Sequence, residues 1–264
     1  MTVALVVTTY NAPLDLKCTL RSVARQTVMP DEIIIADDGS REPTREMVES
    51  FRPLFGDRLR YVWQPDDGFQ LSRIRNRAIA AAKSDYIIMI DGDMILDHRF
   101  IAEHIRNARP GCYVAGLRSM LDPKVSERLR SNEFRGPLAW YSASMSLRLH
   151  SIHATWLTRF LVRHHGKSVR QLIGANMAFW REDAIRANGF DESFTNWGEE
   201  EREFAIRLNN LGIRRRTMVF SGIQFHLYHP TRKDEDALAQ NGERLRATIA
   251  AGITRCEKGI DQYL

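Results

Sequence analysis

Three short, near-continuous apolar runs constrain the fold more than any other feature of this chain, because each stops abruptly in polar or acidic residues. Val3 to Thr9 ends in Tyr10-Asn11-Ala12-Pro13, Glu32 to Ala36 stops at Asp37-Asp38-Gly39-Ser40, and Tyr86 to Ile90 terminates in Asp91-Gly92-Asp93. Runs this short and this rich in Val and Ile read as strands, and strands apolar on both faces belong to a parallel sheet covered on both sides. Between them Leu16, Leu20 and Val23 recur at helical spacing, Pro43 suits the first turn of a second helix, and a strand at Leu59 to Gln64 precedes a helix through Arg73 to Ala82. The expected fold is therefore α/β, a mostly parallel central sheet flanked by helices. Ligands of such sheets bind beyond the carboxyl ends of the strands. This chain places Thr8 to Asn11, Asp37 to Ser40 and Asp91 to Asp93 there.

The pattern loosens after Gly111. Between Arg118 and Arg170 ten Lys or Arg oppose three acids, interleaved with Trp140, Tyr141, Trp156, Leu157, Phe160 and Leu161. Two readings fit this stretch: a solvated helical insertion, or an amphipathic face that meets an anionic membrane or a lipid-linked acceptor. Regular structure resumes over Leu172 to Phe179, followed by a helix from Arg181, then Gly189-Phe190-Asp191 and a helical stripe at Phe204 to Leu208 whose first turn is acidic, as the helix dipole favours. Val219 to Phe225 reads as a last strand, and the polar tail from Lys233 as a peripheral helix.

Charge and cysteine usage narrow the class. A formal net charge of +5 over 264 residues is too mild to indicate nucleic-acid binding, since nucleotide phosphates or anionic lipid satisfy it equally. Cys18, Cys112 and Cys256 are widely spaced with no CxxC pair, which suits a reducing cytosol. The first residues run straight into polar ones without a basic leader, and no apolar run approaches the roughly 20 residues of a membrane span. A cytoplasmic protein, peripheral at most on the inner face of the plasma membrane, is expected.

Three constellations carry chemistry. Asp91-Gly92-Asp93 sets two carboxylates on one tight loop at a strand end, a seat for Mn²⁺ or Mg²⁺ that shares its coordination with substrate phosphates. His226 and His229, just past the last strand, can each supply a nitrogen to the same ion or simply cap their loop. Trp197 precedes Gly198 and Glu199-Glu200-Glu201. Such acids can be a solvated helix start. Alternatively, the indole offers a wall for a sugar face and lowers the dielectric beside a general base.

These segments together resemble a family 2 glycosyltransferase of GT-A fold whose second half is similar to the β-1,4-galactosyltransferases, as in bacterial chondroitin polymerase domains. Val6-Val7-Thr8-Thr9-Tyr10-Asn11 with Asp37-Asp38-Gly39-Ser40 carries the nucleotide-reading half of the pattern. Asp67-Gly68-Phe69-Gln70, Arg75-Asn76 and Asp91-Gly92-Asp93-Met94 match the metal motif and the segment before it. Gly174-Ala175-Asn176, Gly189-Phe190-Asp191 and Trp197 to Phe204 resemble the acceptor half. The resemblance implies nucleotide contacts from Thr8, Thr9, Tyr10, Asn11, Asp37, Asp38, Gln70, Arg75, Asp91 and Gly92. It implies a metal held by Asp93 with His226, or His229 as second choice. Sugar or acceptor contacts fall on Asn176, Trp197, Gly198 and Glu200. The catalytic base falls on Glu201, where the family usually carries Asp, so the carboxylate sits one methylene further from the backbone.

The implied organisation is a nucleotide-sugar-binding half at 1–110, the basic and aromatic insertion at 111–170, an acceptor-binding and catalytic half at 171–232 and a helical tail at 233–264. The implied activity is metal-dependent, inverting transfer of a hexose or N-acetylhexosamine from a UDP-sugar to a glycan or lipid-linked oligosaccharide in bacterial polysaccharide or lipopolysaccharide synthesis. The alternative is a catalytically silent carbohydrate-binding partner of an active transferase. A sugar-phosphate nucleotidyltransferase would need a glycine-rich, lysine-bearing loop after the first strand, and a dehydrogenase would need GxGxxG; the chain has neither.

Overall fold

The computed structural model describes residues 1–133, 138, 152, 154, 169, 172–230 and 235–264. The strands are β1 (Val3–Thr9), β2 (Glu32–Asp37), β3 (Leu59–Trp63), β4 (Tyr86–Asp91), β5 (Met94–Leu96), β6 (Cys112–Ala115), β7 (Ser119–Met120), β8 (Met177–Trp180), β9 (Arg214–Thr217) and β10 (Gln224–His226). The helices are α1 (Pro13–Val23), α2 (Glu42–Glu49), α3 (Arg52–Phe55), α4 (Leu71–Ala81), α5 (Phe100–Asn107), α6 (Pro123–Arg130), α7 (Arg181–Arg186), α8 (Glu200–Asn210) and α9 (Glu235–Ala251). The main sheet has the order β3-β2-β1-β4-β8-β6-β9. Only β8 runs against the others, pairing antiparallel with both β4 and β6. Strand β6 lies inside this sheet although it falls past residue 110, where the first half was expected to close.

The apolar strands are buried on both faces, as their composition requires. Leu5, Val7, Ile33, Ile35, Ile88 and Ile90 pack on one side against Leu16 and Leu20 of α1 and Phe100 of α5. Their chain neighbours Val6, Ile34, Ala36, Ile87 and Met89 pack on the other against Ile74 and Ala78 of α4 and Phe204 and Leu208 of α8. The strand period of two thus feeds two separate apolar layers.

The expected last strand over Val219 to Phe225 needs correction. The main sheet ends instead on β9, whose three arginines do not read as a strand, and the chain then turns through Phe220 and Gly222 at φ of 59° and 60°. That left-handed turn breaks any continuous strand, so only Gln224–His226 is extended, in a second sheet of order β5-β10-β7. Antiparallel pairing sets His226 opposite Met94, one residue past Asp93.

The tail helix is more than peripheral. In α9, Asn241 is buried and donates to the carbonyls of Asn196 and Gly198, pinning the Trp197 loop from behind. Thr248 donates to Glu203, which forms a fully buried two-bond pair with Arg207 at 2.7 Å for each bond. Arg207→Ala strands the Glu203 charge and is expected to destabilise the protein by about 3–5 kcal/mol. Urea unfolding reads this as a lower midpoint at unchanged slope, and a loss below about 1 kcal/mol would show the pair to be replaceable. The three cysteines are free and buried, and among the described residues no helix is long and apolar enough to cross a membrane.

Candidate active site

Parallel pairing of β1 with β2 and β4 brings three strand ends to one edge, with Thr8 opposite Asp91 and Thr9 opposite Asp37. A cavity of about 540 Å³ opens beyond them, within the range of small-molecule sites. Its near wall holds Thr8, Thr9 and Tyr10, its floor Asp91, Gly92 and Asp93, and its far wall Trp197, Glu200 and Glu201. Asp15, Gly68 and Phe69 also line it. Asp15, on α1, had no motif to mark it; Arg130 of α6 holds its carboxylate at 2.5 Å.

The two adjacent aspartates of β2 divide their work. Asp37 is fully buried, accepting from the Ser40 N–H at 2.7 Å and the Tyr61 hydroxyl at 2.6 Å, and does not line the cavity. It shapes the loop from which Asp38 reaches the cavity. Burial raises the Asp38 carboxyl above its ordinary value, against hydrogen bonds from the Gln70 N–H at 2.9 Å and Gln64 Nε2 at 2.6 Å. Gln70 therefore acts through its backbone here. Asn11, at a φ of 47°, is tied to the same loop: its N–H donates to Ser40 Oγ and its Oδ1 accepts from the Arg41 N–H. Tyr10, half exposed, donates to Asp66 at the rim.

Gly92 lets the acidic loop fold back on β1. Its N–H donates to the Thr8 carbonyl at 2.7 Å, and a Cβ there would lie 2.8 Å from that same oxygen. The fold-back points Asp93 at the histidines, with Oδ2 3.1 Å from His226 Nε2 and 3.3 Å from His229 Nε2. Burial opposes ionisation of Asp93, yet the two imidazoles outweigh it and hold the carboxyl below the usual carboxylate range. The hydrogen bond to Asp93 in turn raises the His229 imidazole. One oxygen and two nitrogens lie within 4.8 Å of one another, and Asp93 Oδ1 is buried with no hydrogen-bond partner among the described residues. This donor set fits a divalent ion, which would take the place of the imidazole protons and satisfy the orphaned oxygen. Both histidines reach Asp93, where the sequence ranked one above the other.

A single cation organises the far wall. Arg75 of α4, only 1% exposed, reaches Glu201 at 3.1 Å, Glu200 at 3.5 Å and Asp91 at 3.7 Å. Burial pushes the Glu200 carboxyl up to about 8, helped by the neighbouring Glu201 and opposed by Arg75. The Gly198 N–H donates to Glu200 at 2.9 Å, and Gly198 and Glu199 at φ of 108° and 73° turn the chain into α8. Gly198 thus shapes the loop, while Trp197 stands 47% exposed at the cavity mouth.

Asn176 is not brought to the cavity. It is fully buried, donating to the carbonyls of Leu117 and Gly222 and meeting His104 Nε2 at 3.0 Å, so its amide has nothing left for a sugar. Of the basic stretch from Arg118 to Arg170, residues 134–137, 139–151, 153, 155–168 and 170, with Trp140, Tyr141, Trp156, Leu157, Phe160 and Leu161, lie outside the described residues.

With this geometry, comparison with known proteins is decisive: the chain belongs to glycosyl transferase family 2, whose sequence profile matches residues 4–166. A second profile, described as the N-terminal domain of galactosyltransferase, matches residues 163–230. Among curated relatives, the chondroitin synthase of Escherichia coli is 30% identical over 88% of this chain and 35% of its own length. The hyaluronan synthase of Pasteurella multocida is 27% identical over 93% of this chain and 26% of its own. The validoxylamine A glucosyltransferase of Streptomyces hygroscopicus subsp. limoneus is 28% identical over 80% and 48%. The chain thus spans between a quarter and a half of these relatives.

Two solved structures show the GT-A fold. S. aureus TarS 1–349 in complex with UDP-GlcNAc superposes with a TM-score of 0.64 at 13% identity, over all of this chain and 69% of that one. The mannosyltransferase PcManGT of Pyrobaculum calidifontis, in complex with GDP-Man and Mn²⁺, gives 0.63 at 19% identity, over 94% and 64%.

Proposed function

We propose that this chain is an inverting, metal-dependent glycosyltransferase that moves a hexose or N-acetylhexosamine from a UDP-sugar to a glycan acceptor. The observation that most supports this is the meeting of Asp38, the Asp93–His226–His229 cluster, Glu201 and Trp197 around one cavity. In this reading residues 1–110 bind the nucleotide sugar and residues 171–232 bind the acceptor and supply the base. Asp38 accepts the uracil imide N–H, the Thr8 to Asn11 backbone holds base and ribose, and Asp91 meets the ribose side beside Gly92. Arg75 stands behind the acidic wall and neutralises it.

Asp93, His226 and His229 would hold the divalent ion, Mn²⁺ or Mg²⁺, which neutralises charge on the departing diphosphate. Glu201 takes the proton from the attacking acceptor hydroxyl as its oxygen bonds to the anomeric carbon. The bond from that carbon to the diphosphate breaks on the opposite face, so the configuration inverts and UDP leaves. Glu200 hydrogen-bonds sugar hydroxyls, and Trp197 stacks on a sugar face.

The names of two relatives, chondroitin synthase and hyaluronan synthase, support a growing bacterial polysaccharide as acceptor, with lipopolysaccharide as the other glycan of this class. The protein is read as cytoplasmic, and the excess of positive charge between Arg118 and Arg170 supports attraction to an anionic inner membrane face, where a lipid-linked oligosaccharide would be met. Incubation with a panel of UDP-sugars and Mn²⁺ should release UDP, stop in chelator and resume on adding metal. Binding of UDP-sugar and glycan without release of UDP would instead identify a silent carbohydrate-binding partner.

A further inference from the structure

Gly174 opens the 3₁₀ turn Gly174–Asn176 that leads into β8, an interior strand of the main sheet. Its φ is not in the left-handed region, so the backbone alone does not call for glycine. Space does. A Cβ at Gly174 would lie 2.2 Å from Glu201 Oε1, 2.3 Å from its Cγ and 2.5 Å from its Cδ. These separations are well inside van der Waals contact, so Cγ, Cδ and Oε1 of Glu201 occupy the space a side chain at Gly174 would need. On its other side Glu201 Oε1 meets Arg75 Nη2 at 3.1 Å. The carboxylate is thus held between a bare backbone and a buried guanidinium.

The turn is held on several sides. The Ala175 carbonyl accepts from Gln224 Nε2 at 2.8 Å, the Asn176 carbonyl from the Gly116 N–H at 2.8 Å, and the Asn176 side chain is bonded on three sides. Arg75 is buried and also faces Glu200 at 3.5 Å and Asp91 at 3.7 Å. A methyl at 174 would therefore move Glu201, not the turn.

We propose that Gly174 is a positioning residue for glycosyl transfer, leaving the space in which Glu201 lies against Arg75 and so setting where the base meets the acceptor hydroxyl. This rests on Glu201 being the base. It also gives the longer glutamate a seat: the side chain spends its additional methylene lying along the glycine. Asn176 and its buried bonds, which carry no sugar contact, hold this seat rigid.

The test is a double-mutant cycle on UDP release by the whole chain. Gly174→Ala should lower kcat about 100-fold, as misplacement of a reacting group by about 1 Å does, with donor KM within about threefold. In the Glu201→Ala background, where the side chain it would strike is gone, the same change should cost less than about threefold of the residual rate. Equal losses in both backgrounds, an unchanged kcat, or a raised donor KM at unchanged kcat would each overturn the proposal. If Gly174→Ala alone fails to fold, folding of the double variant supports the clash with Glu201, and failure of both overturns it. Full turnover by Glu201→Ala would reject the base assignment itself. Loss in Glu201→Ala beside an indifferent Gly174→Ala would reject only the role of Gly174.

Discussion

Glu201→Gln is expected to lower kcat by about 10³-fold while leaving UDP-sugar affinity within about threefold. The amide keeps the length of the side chain and an oxygen that can still accept from Arg75 across 3.1 Å, so the wall beside the cavity stays closed. What it loses, in the role proposed for Glu201, is the ability to take a proton from the acceptor hydroxyl, and a positioned general base contributes about 10²–10⁴-fold. In the proposed reading the donor is held elsewhere, by Asp38 and the strand-end loops, so its binding is expected not to depend on the Glu201 charge. Steady-state UDP release gives kcat, and calorimetric titration with the UDP-sugar gives the affinity. Unchanged turnover would reject Glu201 as the base, whereas a lost affinity with intact kcat would move it to the donor site.

Asp93→Ala should abolish the response to metal, with turnover down by about 10³-fold or more even at millimolar Mn²⁺. Asp93 is the only oxygen donor of the cluster, and both imidazoles converge on its Oδ2. Its removal leaves only two nitrogens and strips the cluster of its negative charge. Electrostatic stabilisation of a departing group is worth about 10²–10³-fold for a single donor, and loss of the whole site removes more. Mn²⁺ binding, followed through the ion's paramagnetic resonance signal, provides a readout independent of activity: Asp93→Ala should leave the ion free at concentrations that saturate the parent chain. Retained Mn²⁺ binding in Asp93→Ala would place the ion elsewhere.

Much of the first half of the chain was legible because its patterning is local. Strands β1, β2 and β4 each carry their own apolar run and their own polar stop, and parallel pairing then sets those stops side by side with little freedom. Asp38 and Asp93 follow from their place in those stops. Their neighbours divide by burial, which a run of letters does not display: Asp37 is spent on Ser40 and Tyr61, and Asn176 on Leu117, Gly222 and His104. Strand β9 escaped notice because Arg214-Arg215-Arg216 has no apolar alternation, and the reading of Val219 to Phe225 as one strand had no way to register the left-handed turn at Phe220 and Gly222.

What the sequence determined alone is the α/β class, the succession of the first four strands along the chain and the set of acidic, imidazole and indole groups that the motifs mark, because periodicity and strand termini are properties of contiguous residues. Tertiary structure alone decided which of those groups face the cavity. It set β8 against the direction of its neighbours, clamped the Trp197 loop with Asn241 and laid Glu201 between Gly174 and Arg75. Those contacts join segments up to 126 residues apart in the chain, and only packing selects which distant surfaces meet.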